Sequence, residues 1–481
     1  MSKSERGKQV STVVGTEKVP FITKFFFGFG DVYGGGVFNI INFFYAIFLT
    51  DVVKIPPVFA SVIFLVGKIW DAVTDPIMGY ISDKTKSKWG RRRPYFLFGV
   101  PFIFLSFVMV WYPVSFESIF ARFIYALFAY MFLNTVVTMV LIPYTAMSAE
   151  ITLDYNERTA INSIRLTFSL LSSLLCAVLP MMIVKSAGDV KKGYLLMSII
   201  FGAFFALPYL GVFAFTKEKN FKPATTKLNF KDLIVEPLKI KTFRLYLGMF
   251  LFAYLAIDTV SVIFPYYMKY YVGKPFFVSA VLGVLLITEI IFVPVYATIA
   301  RKKSKNFAYM LGAFVWMLGS AATFFFKPEW SNAVLLGIAA LIGSGVSAVA
   351  VMPHTILGDV TDVAELKSGE RREGNISSMA TFLRKVASAL VQAVILLILG
   401  AVGYINPVGN EIPQQPANVI LAIRMIILFG PILLLVIGVI SAIKYPLKPE
   451  KHKLLVSILE KRRKGDKVEE NILSELKREL I

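Results

Sequence analysis

Apolar runs of roughly twenty residues, long enough to cross bilayer hydrocarbon as a helix, recur from Phe21 to Tyr445. No other feature of the sequence restricts the fold as strongly. In lipid the backbone can satisfy its own polar groups only as a helix or as a closed barrel. These runs are too long and too continuous for barrel strands. Twelve spans can be counted, near 22–49, 57–82, 94–112, 118–148, 158–184, 193–215, 243–270, 276–300, 306–326, 332–357, 375–403 and 418–444. Composition agrees, with 56% hydrophobic and only 17% charged residues, against about 25% charged in soluble domains. The expected fold class is an all-α polytopic membrane protein with twelve transmembrane helices.

The formal net charge of +20 does not point to nucleic acid, because the Lys and Arg sit in short loops between spans. That distribution is the positive-inside pattern, which sets orientation. Loops after spans 2, 6 and 8 are basic (Lys84–Arg93, Lys217–Lys241, Arg301–Lys305), and those after spans 4 and 10 are mixed. Loops after odd spans are short or weakly charged (Asp51–Lys54, Pro113–Glu117, Lys327–Trp330), Lys185–Lys192 excepted. An even number of spans in the cell membrane with both termini cytoplasmic fits this pattern. The first 20 residues are polar and basic without a signal-peptide core, so the first span serves as its own insertion signal. The single Cys176 excludes an internal disulfide framework, and two histidines, His354 and His452, make a His-based metal centre improbable. No P-loop, HExxH or CxxC motif occurs, which argues against ATP-driven pumping and leaves no sign of an enzyme.

Thr216–Leu233 is the longest internal polar stretch and divides the spans six and six. The expected organisation is a cytoplasmic N-terminus (1–20), a six-helix half (21–215), a linker (216–242), a second half (243–445) and a helical cytoplasmic tail (446–481). The halves carry related sequences. IPYTAMSAEITLDYNERTAIN follows span 4 and MPHTILGDVTDVAELKSGERREGN follows span 10, with Glu157, Arg158 and Asn162 spaced as Glu370, Arg371 and Asn375. Two related, pseudo-symmetric six-helix halves are the layout of a secondary transporter with its site near the midplane.

The stretch GKIWDAVTDPIMGYISDKTKSKWGRRRP, Gly67 to Pro94, places Asp71 and Asp75 inside an apolar helix. At i,i+4 they share one face. One carboxylate at that depth costs on the order of 2.5–3.5 kcal/mol, so two call for a compensating cation or shared proton. Oxygen ligands suit a hard monovalent cation, Na⁺, Li⁺ or H⁺, and the Thr138 hydroxyl can add a third ligand. No other cofactor is called for. Arg165 on span 5 and Lys385 on span 11 are expected either to pair with these acids when the ion is absent or to meet substrate. Asp31, Tyr33 and Asn39 on span 1, where glycines leave space, and Asn162 on span 5 complete the expected substrate wall. Asn42, Asp258, Glu289 and Gln392 are further polar groups in spans, and His354 reads as a satisfied helix-end histidine. Asp83, Arg91, Arg92 and Arg93 are expected to gate by pairing with acids such as Glu150 or Asp359. The tail, with apolar residues at helical spacing from Leu454 to Leu480, reads as one or two surface helices.

WDAVTDPIMGYISDKTKSKWGRRRPY, GFGDVYGG, IPYTAMSAEITLDYNERT and GDVTDVAELKSGERREGN resemble, in order, signatures of the glycoside–pentoside–hexuronide:cation symporters of the major facilitator superfamily. The resemblance spans roughly residues 20–445. It implies the major facilitator fold, cation ligation by Asp71, Asp75 and Thr138, and functional roles for Arg165 and Lys385. The sugar-gripping pattern departs: the family's helix 1 acid and lysine fall on Gly35 and Gly34, its helix 4 acid on Leu141 and a tryptophan on Thr145. The expected function is uptake of a sugar, glycoside or hexuronide, driven by a monovalent cation, by a carrier working as a monomer in the bilayer. The alternatives are a lysolipid carrier of the same family and a non-transporting membrane sensor.

Overall fold

The computed structural model describes residues 18–148, 150–152, 154–218, 236–369, 373–408, 413–464 and 470–481. Twelve of the described helices are long and apolar enough to cross a membrane. They are α1 (Phe21–Asp51), α2 (Pro57–Lys84), α3 (Arg93–Val110), α4 (Ile119–Met147), α5 (Asn156–Ser186), α6 (Val190–Phe215), α7 (Lys241–Tyr271), α8 (Pro275–Lys302), α9 (Lys305–Phe325), α10 (Asn332–Ser368), α11 (Ile376–Ala401) and α12 (Ala417–Lys444). The tail adds α13 (Pro449–Lys464) and α14 (Glu470–Leu480). Most of the expected linker (219–235), the expected N-terminal segment up to residue 17, Glu370 and Arg371 of the repeat, and Gly465 and Val468 of the tail lie outside the described residues.

Local chemistry sets where the helices begin. Ser118, Asp154, Asp189 and Ser304 each accept a hydrogen bond from the backbone N–H three residues on, satisfying a donor that has no intrahelical partner. Pro57, Pro94 and Pro275 sit in the first turns of α2, α3 and α8, where a missing N–H is not needed. α10 stops at Gly369, whose φ of 76° is the left-handed end that glycine accepts without strain.

α10 also departs from expectation. The apolar run ends near 357, yet the helix continues to Ser368. Past His354 it keeps a buried stripe, Val360, Val363, Ala364 and Leu366, and the tail packs against that end of the helix. His354 is therefore mid-helix rather than at a helix end, with Nε2 2.7 Å from the Tyr254 hydroxyl.

The packing repeats between halves. α1 packs on α5 and α6, α2 on α4, and α3 on α4 and α6. Adding six to each number gives the second half: α7 on α11 and α12, α8 on α10, and α9 on α10 and α12. Between the halves the seams are α2–α11, α5–α8 and α1–α7, a set that maps onto itself under the same operation. The molecule is thus two six-helix bundles related by a pseudo-twofold axis, the major facilitator architecture.

The glycines of α1 serve close packing. A Cβ on Gly35 would lie 2.7 Å from the Cα of Ser169, and one on Gly28 3.1 Å from the carbonyl carbon of Ile164. The space expected beside Asp31 is thus filled by α5, as small residues allow between membrane helices.

Candidate functional site

Alternation of the spans puts the ends of even-numbered helices, with the basic loops, on one face. We refer to this as the basic face and to the opposite one as the far face.

At mid-depth, α2 turns Asp71 and Asp75 toward α4 and α11. Asp71 is 1% exposed. The Thr138 hydroxyl on α4 lies 2.9 Å from Asp75 Oδ1 and 3.2 Å from Asp71 Oδ1, with one proton to share between them. A buried and a half-buried carboxylate side by side need positive charge close by, and Lys385 supplies it from the other half. Its Nζ is 3.0 Å from Asp71 Oδ2 and also bonds Asp75 Oδ2. Lys68, one turn before Asp71, forms no ion pair among the described residues; its Nζ lies 5.5 Å from the centre of the Phe38 ring. The cluster therefore presents four carboxylate oxygens and a hydroxyl, with an ammonium seated among them.

Arg165 is placed elsewhere. It meets Asp31 across α1 and α5, Nε to Oδ2 at 3.4 Å. Of the two expected pairings with Asp71 and Asp75, only that of Lys385 forms. Tyr33 is fully buried with its ring against Phe205 and Tyr209 of α6, inside the N-terminal half rather than at a seam. Asn39 donates to the Gly35 carbonyl at 3.1 Å, while Asn162 is half-buried on α5, three residues before Arg165. Asn42 accepts from Gln392 of α11 at 3.2 Å. In the C-terminal half Asp258 is 1% exposed with Oδ2 unpartnered, and the Arg384 guanidinium stacks 3.9 Å over Tyr254.

On the basic face, Arg92 bonds Glu150 (2.7 Å) and Asp83 (2.8 Å), and Arg91 lies 3.4 Å from Glu150. Arg93 donates to the Phe213 carbonyl, and the Glu218 carboxylate accepts the N–H groups of Arg91 and Arg92. Asp359 takes Lys305 of its own half at 2.7 Å. Ion pairs between described residues on this face stay within one half, the linker or the tail, or join the C-terminal half to the tail or to the end of the linker.

The far face is different, and the sequence reading missed it. Asp51, the last residue of α1, is gripped from the second half by Lys269 and by the hydroxyls of Tyr404 and Tyr270, the last at 2.8 Å. Thr50 bonds Asp51 (2.7 Å) and meets the Tyr266 hydroxyl at 2.9 Å. Asn406 donates to the carbonyls of Thr50 and Ile55 at 2.7 and 3.0 Å. The halves are thus sealed together at the far face and tied at mid-depth, without matching ion pairs between them at the basic face among the described residues.

Two pseudo-symmetric bundles, a charged cluster at their midplane seam and a seal at one end define a secondary transporter of the alternating-access kind. Residues 26–449 match the model of the MFS/sugar transport protein family, and the chain belongs to that family. It is 29% identical to an uncharacterized symporter of Synechocystis sp. (92% of this chain, 97% of that one). It is 24% identical to sodium-dependent lysophosphatidylcholine symporter 1 of Xenopus tropicalis (94% and 92%) and 25% identical to the isoprimeverose transporter of Lactiplantibacillus pentosus (96% and 96%). A bacterial homolog of the human lysosomal transporter Spinster shares the fold, with a TM-score of 0.64 at 13% identity (91% and 96%).

Proposed function

We propose that the protein is a secondary active symporter that couples inward movement of a monovalent cation, Na⁺ or H⁺, to uptake of a sugar, glycoside or hexuronide. The observation that carries this reading is the Asp71–Asp75–Thr138 cluster with the Lys385 ammonium bridging it from the opposite half. An incoming cation competes with that ammonium for the same oxygens. Once displaced, Lys385 is free to meet a hydroxyl or anionic group of the substrate, alongside Arg165 and Asp31. The basic face lies in the cytoplasm of the cell, so the far-face seal makes this the inward-open stage of the cycle. The carrier works as a monomer. Each charge crossing 100 mV supplies about 2.3 kcal/mol, roughly fiftyfold accumulation.

The test is uptake into proteoliposomes carrying a cation gradient. Asp75→Cys is expected to abolish uphill uptake, and unchanged active uptake would refute the assignment.

A second reading, a carrier of lysolipid-like amphiphiles, is favoured by a cavity of about 240 Å³ near the far face. Its walls are mostly apolar, including Phe44, Ile47, Met181 and Val184, and Lys54, Lys191 and the Asp51–Lys269 pair also line it. A relative named as a lysophosphatidylcholine symporter fits this reading, as the isoprimeverose transporter fits the first. Thermal stabilisation by a sugar panel or by a lysolipid panel, with and without Na⁺, separates the two.

A further inference from the structure

The connections after α2 and α8 occupy equivalent places in the two halves, and both are basic. In the first half the protein supplies the counter-charges: Glu150, Asp83 and Glu218 hold Arg91 and Arg92. Among the described residues the second half supplies less, with Asp359 taking Lys305 and His452. Arg301, Lys303, Lys448 and Lys453 line one cavity of about 640 Å³. None of these four has an ion-pair partner among the described residues. Lys305 and His452 line the same cavity and share Asp359, its one carboxylate among the described residues.

Cations converging on one concave space raise its potential and concentrate counter-anions there. A second feature of the cavity points the same way. Tyr445 lines it at 4% exposure, yet its hydroxyl has no hydrogen-bond partner. A buried hydroxyl normally finds one. Ile443, in the last turn of α12 and 67% exposed, also lines the space, so the cavity opens where that helix leaves the membrane.

We propose that this cavity binds a phosphate-bearing anion. A carboxylate carries too little charge for four cations without ion-pair partners, whereas a phosphate group offers up to two charges and several strong acceptor oxygens. Tyr445 donates to one phosphate oxygen, and Lys303, Lys448 and Lys453, with Arg301, neutralise the group. Arg301 and Lys303 belong to the α8–α9 connection, and Lys448 and Lys453 to the start of the tail. The bound anion therefore staples the tail to the C-terminal half. The phosphate comes either from an anionic phospholipid headgroup in the adjoining leaflet or from a soluble phosphorylated metabolite.

The experiment compares the full-length protein with Lys303→Gln/Lys448→Gln/Lys453→Gln and with Tyr445→Phe, by thermal unfolding in a neutral detergent. One arm adds phosphatidylglycerol against phosphatidylcholine. The other adds inorganic phosphate against chloride at equal ionic strength. The wild type is expected to gain several degrees in at least one arm and the triple variant to lose that gain. Tyr445→Phe, which leaves the surface charges intact, is expected to weaken apparent affinity about tenfold, the scale of one hydrogen bond to a charged group. A gain in the lipid arm alone identifies a headgroup, a gain in the phosphate arm alone a soluble ligand, and a gain in both the shared chemistry. No gain in either arm, or equal gains for the wild type and the triple variant, overturns the proposal.

Discussion

The far-face seal permits a quantitative prediction for Asp51→Asn. Asp51 accepts from Lys269, Tyr270, Tyr404 and Thr50, and its side chain is 4% exposed against 16% for Lys269. Removing one partner of a buried pair costs about 3–5 kcal/mol. The amide can still accept from the tyrosines, which lowers the net cost to about 2–3 kcal/mol. That cost falls only on the conformation in which the halves meet at the far face. The equilibrium should therefore move toward opening of that face by about 30- to 150-fold. Spin labels at Phe116→Cys and Val408→Cys, exposed residues of opposite halves on that face, report the distance by electron double resonance. The only native cysteine, Cys176, is buried and stays unlabelled. The variant is expected to widen the distance distribution. A distribution identical to that of the Asp51 protein would refute the gating role.

Two further outcomes follow from the charged clusters. Lys385→Gln removes the ammonium that bridges Asp71 and Asp75, so under the proposed competition apparent Na⁺ or Li⁺ affinity should rise about tenfold, about 1.4 kcal/mol, in cation-dependent thermal shifts; unchanged or weaker binding would contradict the competition. In the tail, the hydrogen bond to Asp362 raises His452 above its ordinary 6.5, helped by Asp359 and opposed by burial and by Lys305. A group raised on docking contributes fully below 6.5 and loses that contribution as pH climbs through the raised value. Proteolysis of the tail should accelerate as pH rises above 6.5 in the wild type and lose that rise in His452→Gln.

The legible parts of this molecule were those that break a pattern locally. Asp71 and Asp75 stand out because charge interrupts an apolar run, and their helical spacing puts them on one face. The span count followed from the backbone's need for internal hydrogen bonds. Asp51 was invisible for the opposite reason. A carboxylate at the end of a span is unremarkable, and its partners Lys269 and Tyr404 are more than 200 residues away. Tyr266, Tyr270 and Tyr404 read as apolar bulk until their hydroxyls converge on one acid. The last turns of α10 were lost because hydropathy marks the edge of lipid rather than the end of a helix. Arg165 found Asp31 rather than Asp71 because the glycines of α1 bring α5 close, a distance no spacing rule gives.

The pseudo-twofold axis makes the α2–α11 and α5–α8 seams geometrically equivalent, yet among the described residues only α2–α11 carries an ion pair. One seam behaves as a plain bearing and the other as a clutch. In the symport cycle proposed above, a cation seated beside Asp71 need not push the bundles apart. By releasing Lys385 it unloads one edge of the contact, and the difference between the two edges acts as a torque about the axis that relates them.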